Sequence, residues 1–180
     1  MRRIVLALMV LSFVGMAAGQ IPTSGNVYFG YSYYNTNLTG SRGSLNGWEG
    51  SLEGKLFPFI GIVADFSGDY GSLDFPRFCV TGVCPPVSAS AHIENVLFGP
   101  RVSVSVGKFR PFGEAMIGIA HANTNGFGSD TSFSTALGGG LDYRLIRLVA
   151  WRFEGDYVRT SLFNGTQHNA RISTGIAVHF

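Results

Sequence analysis

Residues 171–180, RISTGIAVHF, end the chain and indicate its fold class more clearly than any other stretch. Apolar or β-prone residues alternate there with small or polar residues, and a period of two is typical of a strand with one apolar face. The chain stops in mid-strand on a phenylalanine, which a soluble protein has little reason to expose. The pattern therefore predicts a final strand whose apolar face contacts lipid. The residues on that face are Ile172, Thr174, Ile176, Val178 and Phe180.

The opposite end of the chain predicts an exported protein. Arg2 and Arg3 precede the apolar run 4–14, and small residues follow it, which is the pattern of a cleaved secretory signal peptide. We expect residues 1–20 to be this signal peptide and residues 21–180 to form one β-barrel domain. The apolar run is shorter than the roughly 20 residues that a spanning helix needs. An exported chain of this kind would therefore enter a membrane through β-strands.

The composition agrees with a membrane barrel. Removing Arg2 and Arg3 with the signal peptide leaves equal numbers of basic and acidic residues, so nothing indicates a nucleic-acid partner. Charged residues make up 13% of the chain, about half of the ~25% usual in soluble domains. Glycine and phenylalanine are abundant, yet long apolar runs are lacking after residue 20. This combination is typical of strands that face lipid with every second residue only.

Eight segments show the alternation, and their charged residues obey it. All twelve charged residues inside these segments fall on the face opposite the apolar one. An arginine or lysine facing lipid costs about 2–4 kcal/mol at mid-bilayer. The pattern predicts an all-β fold, an eight-stranded antiparallel up-and-down transmembrane barrel with an ion-paired interior. The twelve residues are Glu49, Glu53, Lys55, Asp65, Asp69, Arg101, Glu114, Asp142, Arg152, Glu154, Asp156 and Arg171.

The lengths of the connections predict the orientation. Long connections at residues 35–47, 71–91, 123–131 and 160–167 alternate with short ones at 57–59, 107–110 and 144–147. Short turns face the periplasm in bacterial barrels and long loops face outward, so we expect both termini to be periplasmic. Aromatic residues at the short-turn end fit an interfacial girdle. They are Phe57, Phe59, Phe109, Phe112, Tyr143 and Phe180.

Pro100 interrupts the fourth segment, where residues 101–106 alternate. Proline cannot donate to a ladder, and a closed barrel has no edge strand to hold it. We therefore predict a β-bulge at Pro100. A bulge would also explain why His92 and Glu94 do not follow the parity of the valines at 102–106.

The cysteines predict a small disulfide loop. Cys79 and Cys84 lie close together in an exported chain, and the periplasm is oxidising. Two free thiols are the alternative, and a metal site is not expected because no third ligand lies nearby. We expect the loop at 69–91, with Phe75 and Phe78, to lie outside the cell and to be the main interaction surface.

Together these features resemble the small outer-membrane β-barrel family typified by the OmpA membrane domain and the OmpX/Ail proteins. The resemblance covers nearly all of residues 21–180 and implies outer-membrane residence, without implying one function. The motifs that carry it are GYSY at 30–33, LFGPR at 97–101, RPF at 110–112, GGGLDY at 138–143, DY at 156–157 and STGI at 173–176.

The same resemblance implies partners. The tail is similar to the insertion signal that the β-barrel assembly machinery reads, so this machinery, periplasmic chaperones, outer-membrane lipid and lipopolysaccharide are the expected partners, besides an extracellular partner at the loops. The signal residues would be Ile172, Thr174, Gly175, Ile176, Val178 and Phe180.

Four functional interpretations were weighed. A structural or surface-interacting, adhesin-like role without catalysis, metal or cofactor is favoured. A narrow, weakly cation-preferring channel for small solutes is the alternative, because eight of the twelve interior charges are acidic. A lipid-modifying enzyme would need a Ser-His-acid arrangement, and none of the four histidines lies in a matching motif. A soluble lipocalin-type barrel would carry a more highly charged exterior.

Overall fold

The computed structural model describes residues 24–40, 42–75, 86–126 and 128–180. The predicted signal peptide at 1–20 and the predicted disulfide between Cys79 and Cys84 lie outside the described residues.

Eight antiparallel strands form one closed barrel in which each strand pairs with its neighbours in sequence and β1 also pairs with β8. This confirms the predicted fold class. A one-turn 3₁₀ helix, Leu162–Asn164, lies between β7 and β8. The described part of the chain contains no helix long and apolar enough to cross a membrane. The strands are β1 (Gly25–Thr36), β2 (Gly43–Lys55), β3 (Ile60–Phe75), β4 (Val87–Ser103), β5 (Phe109–Thr124), β6 (Gly128–Arg144), β7 (Val149–Thr160) and β8 (Gln167–His179).

An apolar belt surrounds the barrel because successive side chains of a strand point to opposite faces. In β4, Phe98 and Val102 are half exposed, whereas Leu97 and Arg101 on the other face are fully buried. A continuous ring of bare phenylalanine, leucine and valine side chains is far larger than the apolar patches of soluble monomers. The belt therefore marks the part of the barrel that spans a membrane.

Strands β3 to β6 continue beyond the belt at the end of the barrel away from the termini. They have 16 or 17 residues, against 12 or 13 in the other four strands. The polarity of the two faces inverts in this extension. In β3, Ser72 and Asp74 face outward and Leu73 is buried inside, and Ala89 and Ala91 are buried on β4.

This extension corrects two predicted loops. The connection expected at 71–91 shortens because β3 runs to Phe75 and β4 begins at Val87. The loop expected at 123–131 is also wrong, because β5 ends at Thr124 and β6 begins at Gly128. The alternation continues through both regions, but apolar residues point inward there, so the rule that apolar residues face outward missed these strand ends.

The predicted bulge at Pro100 is wrong. The register between β4 and β5 is the same at Phe98–Ile117 and at Arg101–Glu114, on either side of the proline. The ladder between β3 and β4 is unbroken along its whole length. The strand accommodates the missing N–H by omitting ladder pairs at residues 99 and 100 on the β5 side, without an inserted residue.

Without a bulge, the expectations for the residues on both sides of Pro100 also change. His92 and Glu94 lie on the outward face of the same regular strand, beyond the belt, so they need no change of parity. At the other end, β4 stops at Ser103, and Val104 and Val106 belong to the turn that leads to β5.

We expect Pro100→Val to stabilise the barrel. The amide of Val104 donates to the carbonyl of Pro111 on β5 at 3.1 Å, and alternate residues of a strand bond to the same neighbour. An amide at position 100 would therefore point at β5 and restore a ladder hydrogen bond, which contributes about 0.5–1.5 kcal/mol. Urea unfolding in vesicles measures the gain, with Pro58→Val in a turn as the matched control. An unchanged or lower free energy of unfolding for Pro100→Val would contradict the account.

Candidate functional site

The barrel interior holds all twelve charged residues that the alternation placed there. Eleven are buried, and Lys55, at the short-turn end of β2, is partly exposed. The parity of each strand aims these side chains at the axis, and the narrow interior of eight strands brings opposite walls within reach of one another.

Arg101 and Arg152 form one layer of this interior. Arg101 donates to Glu114 at 2.5 Å, and its guanidinium lies 3.4 Å from Glu154 and 3.6 Å from Glu53. Arg152 holds both carboxylate oxygens of Asp142, at 2.6 and 3.0 Å. Glu154 also lies 3.8 Å from Arg152, so this carboxylate joins the two arginines.

Arg171 collects a second group of carboxylates, closer to the loop end. Its guanidinium donates to Asp65 at 2.7 Å and to Asp156 at 2.7 Å, and Nε lies 3.2 Å from Glu49. These three acids come from β3, β7 and β2, so one side chain of β8 ties strands on opposite sides of the barrel. Asp69 is buried beyond this group and forms no ion pair with the described residues.

The alternation pattern missed or misplaced two interior residues. Arg110 is buried and donates to Glu53 at 2.9 Å. Phe112 does not belong to the interfacial girdle, because it is buried and the guanidinium carbons of Arg101 and Arg152 lie 4.3 and 4.7 Å from its ring centre. Both residues share the parity of Glu114, so extending the fifth segment toward its N-terminus would have found them.

An apolar layer lies mainly on the loop side of the arginines, and Asp69 is buried beside it. Small and large apolar side chains from most of the strands meet there, and the loop after β7 contributes Leu162. Deeper in the barrel, among the charged residues, a Cβ at Gly138 would overlap the carboxylate of Asp156. The larger members of this layer are Tyr34, Leu45, Leu73, Ile93, Leu97, Met116, Val158 and Leu162.

The interior carboxylates do not form a convincing metal site. Glu49, Glu154 and Asp156 bring one oxygen each within 4.8 Å of one another. Arginine already supplies positive charge to all three, since Arg171 contacts Glu49 and Asp156 and Arg101 contacts Glu154. A metal ion would have to displace these guanidinium groups.

Each of the four histidines contacts a residue other than serine. His92 stacks on Tyr70 with ring centres 4.2 Å apart and lies 3.3 Å from Glu94. His121 hydrogen-bonds to a threonine, His168 to a tyrosine and His179 to an arginine. Within the ranges that the structure describes, no histidine ring is hydrogen-bonded to a serine hydroxyl.

The loop between β7 and β8 is anchored by hydrogen bonds and exposes an aromatic ring. Phe163 has φ 51° and ψ 41°, the left-handed region that a bulky residue enters at a cost of about 1–2 kcal/mol, yet its side chain is 40% exposed. Its amide donates to Asp130 on β6 at 2.5 Å. Gln167 accepts from the amide of Leu162 and donates to its carbonyl, at 2.8 and 2.9 Å.

Solved structures share this architecture, although no family model and no curated protein matches the sequence. Ail, the attachment invasion locus protein of Yersinia pestis, aligns over 87% of this chain and 98% of its own, at 15% identity and a TM-score of 0.59. Neisserial surface protein A aligns over 87% of this chain and 97% of its own, at 12% identity and a TM-score of 0.67. The chain has the fold of the small outer-membrane β-barrels. At these identities the likeness concerns the fold alone.

The ion pair between Arg101 and Glu114 should be energetically coupled. Arg101→Ala leaves Glu114 without its arginine in the interior, and removing one partner of a buried pair costs about 3–5 kcal/mol. In the Arg101→Ala/Glu114→Ala double variant we expect a loss of stability smaller than the sum of the two single losses. The rescue will be partial because Glu53 and Glu154 still lose one of their two arginine partners.

Urea unfolding of the four proteins of this cycle, in vesicles of one lipid composition, measures the coupling free energy. Arg159→Ala, on the exposed face of β7, is the matched control for loss of an arginine and should change stability by less than about 0.5 kcal/mol. Additive losses would show that the pair is not coupled.

Proposed function

We propose that this chain is an outer-membrane protein with a closed interior that acts through its loop-end surface, in a structural or adhesin-like role. The filled interior is the observation that carries the proposal. A charged layer built on Arg101, Arg152 and Arg171 and an apolar layer built on residues such as Leu45 and Ile93 follow one another along the axis. We expect these two layers to leave no continuous water path for a solute.

The loop end offers an ordered surface for a partner. Phe163 is exposed on an anchored loop, and the stacked rings of Tyr70 and His92 lie on the extended wall of β3 and β4. Rigid, exposed aromatic side chains lose little conformational entropy on binding, which makes them common interface anchors. The predicted disulfide between Cys79 and Cys84 falls between β3 and β4 in the sequence and would add to this surface.

The charges of this surface favour a protein partner over a sulfated sugar. Among the residues described at the loop end, Asp74, Glu94 and Asp130 face only Arg42 and Arg159 as basic residues. Ail has been crystallised in complex with sucrose octasulfate, a heparin analogue. A densely sulfated ligand needs a basic surface, so we do not transfer this ligand class to the present chain.

The expected partners and orientation belong to the same proposal. The apolar belt would contact outer-membrane lipid and lipopolysaccharide, and the tail ending at Phe180 would be read by the assembly machinery and its chaperones. Both termini would lie in the periplasm, at the end with the short turns. No catalytic role is proposed, since the four histidines are engaged elsewhere.

A narrow cation channel is the second candidate. Eight buried acids face five basic interior residues when Arg110 is included with Lys55, Arg101, Arg152 and Arg171, and an acidic excess favours cations. The apolar layer opposes this function because ions that pass its side chains would lose hydration.

Planar bilayer recording distinguishes the two functions. The refolded protein should show no steady conductance, because both interior layers would have to open for ions to pass. Flotation with vesicles and the shift in gel mobility on heating confirm that the protein has inserted. Stepwise, cation-selective currents from the inserted protein would contradict the closed interior and support the channel.

Surface labelling tests residence and orientation. Phe163→Cys and Ile146→Cys, each in a Cys79→Ser/Cys84→Ser background, place one thiol at opposite ends of the barrel, and both positions are exposed. A maleimide that cannot cross membranes should label position 163 on intact cells and position 146 only after permeabilisation. The reverse pattern would mean that the barrel is inverted, and labelling of neither in intact cells would contradict surface exposure.

A further inference from the structure

The short-turn end of the barrel holds a small cavity with a basic lining. The cavity has a volume of about 160 Å³ and lies at the mouth of the interior. Two turns meet at it, because the amide of Arg144 donates to the carbonyl of Lys108 at 2.8 Å. The strand end of β8 is joined to the same place, since His179 N donates to the carbonyl of Leu148 at 2.7 Å. The basic residues of the lining are Lys55, Lys108, Arg110, Arg144 and Arg147.

His179 adds no positive charge to this lining. Its Nδ1 lies 3.0 Å from a guanidinium nitrogen of Arg110. A guanidinium can only donate, so Nδ1 accepts and must be unprotonated. The proton of the neutral ring is then on Nε2, which points toward Asp142 at 3.7 Å.

Four of the five basic side chains form no ion pair with the described residues. Arg110 is paired with Glu53, but Lys55 donates to the carbonyl of Pro58 at 3.0 Å and to the hydroxyl of Ser103 at 3.2 Å, which are both uncharged. The other three form no ion pair with any residue of the described ranges. Asp142, the acidic residue of the lining, already accepts hydrogen bonds from two nitrogens of Arg152. The other three basic residues are Lys108, Arg144 and Arg147.

The acidic excess deeper in the barrel does not balance these charges locally. The acids deeper in the barrel surround Arg171. One of them, Glu49, lies six residues from Lys55 along β2, which corresponds to about 20 Å of strand. Like charges that converge on a cleft with low-dielectric walls focus a positive potential into it. An anion in the cavity would relieve this repulsion.

We propose that this cavity, the turn-end mouth, binds a phosphate group. Arginine presents a planar fork of donors that matches phosphate oxygens, and lysine adds a compact charge. The phosphate could be free in solution or belong to a phospholipid headgroup, because exposed apolar side chains such as Phe57 and Ile146 stand on the turns around the mouth. The proposal is independent of the surface role assigned to the loop end.

Calorimetric titration of the refolded protein tests the site, at low ionic strength and in a maltoside detergent, which carries no phosphate. The probes are sodium phosphate and short-chain phosphatidylglycerol. Arg144→Gln/Arg147→Gln removes two exposed lining charges and should weaken phosphate binding by roughly tenfold or more. Arg42→Gln/Arg159→Gln is the control, since it removes the same net charge from exposed positions at the loop end. Lys108→Gln is a second mouth variant, should the double variant fail to fold.

The outcomes separate the sources of the phosphate and decide the proposal. Phosphate that binds the wild type and the loop-end control equally, and the mouth variants weakly, supports a site for free phosphate. The same pattern with the lipid alone supports a headgroup site. Equal weakening in both double variants would show a general charge effect and overturn the proposal, as would the absence of binding to the wild type.

Discussion

Hydrogen bonding without water is the constraint on which this structure depends. Lipid offers no partner for a backbone amide or carbonyl, so every strand in the belt must be paired on both sides. The β1–β8 ladder meets this need, and two hydrogen bonds at 3.0 and 3.1 Å join Gly25, the first residue of β1, to Phe180. Gly30 and Gly175 face each other in this ladder, and a Cβ on Gly175 would overlap the backbone of β1. Closure with eight strands leaves an interior so narrow that side chains must fill it.

The way this interior is filled gives the barrel its internal ties. A buried arginine is tolerable only with carboxylates around it, and each carboxylate comes from a different strand. Arg171 on β8 contacts Asp65 on β3, and Arg101 on β4 contacts Glu154 on β7. These bridges span the axis and are independent of the ladders. We infer that they help to fix the register of the strands, because a shift of one residue would turn a charge toward lipid.

The sequence alone predicted the features that follow from the alternation of inward and outward side chains along a strand. Alternation identified eight strands and the inward side of twelve charged residues, because a misplaced charge in lipid is costly. It could not predict the ion pairs across the axis, since Arg171 and Asp65 are 106 residues apart and meet only across a closed barrel. Arg110 was missed because the fifth segment was begun at Glu114. Pro100 was misjudged because a regular strand can omit one ladder bond more easily than it can insert a residue.

The extension of β3 to β6 shows how the same strands pass from lipid, around the belt, into water beyond it. The ladder between β2 and β3 ends at Asn46 and Tyr70, and the ladder between β6 and β7 begins only at Ser134. The barrel is therefore closed over the height of the apolar belt. Beyond that height the four longer strands form an open sheet, whose outer face is polar and whose inner face is apolar. On β6, the side chains of Asp130 and Ser132 accept hydrogen bonds from the amides of Phe163 and Ser161. These bonds take the place of strand pairing between β6 and the loop after β7.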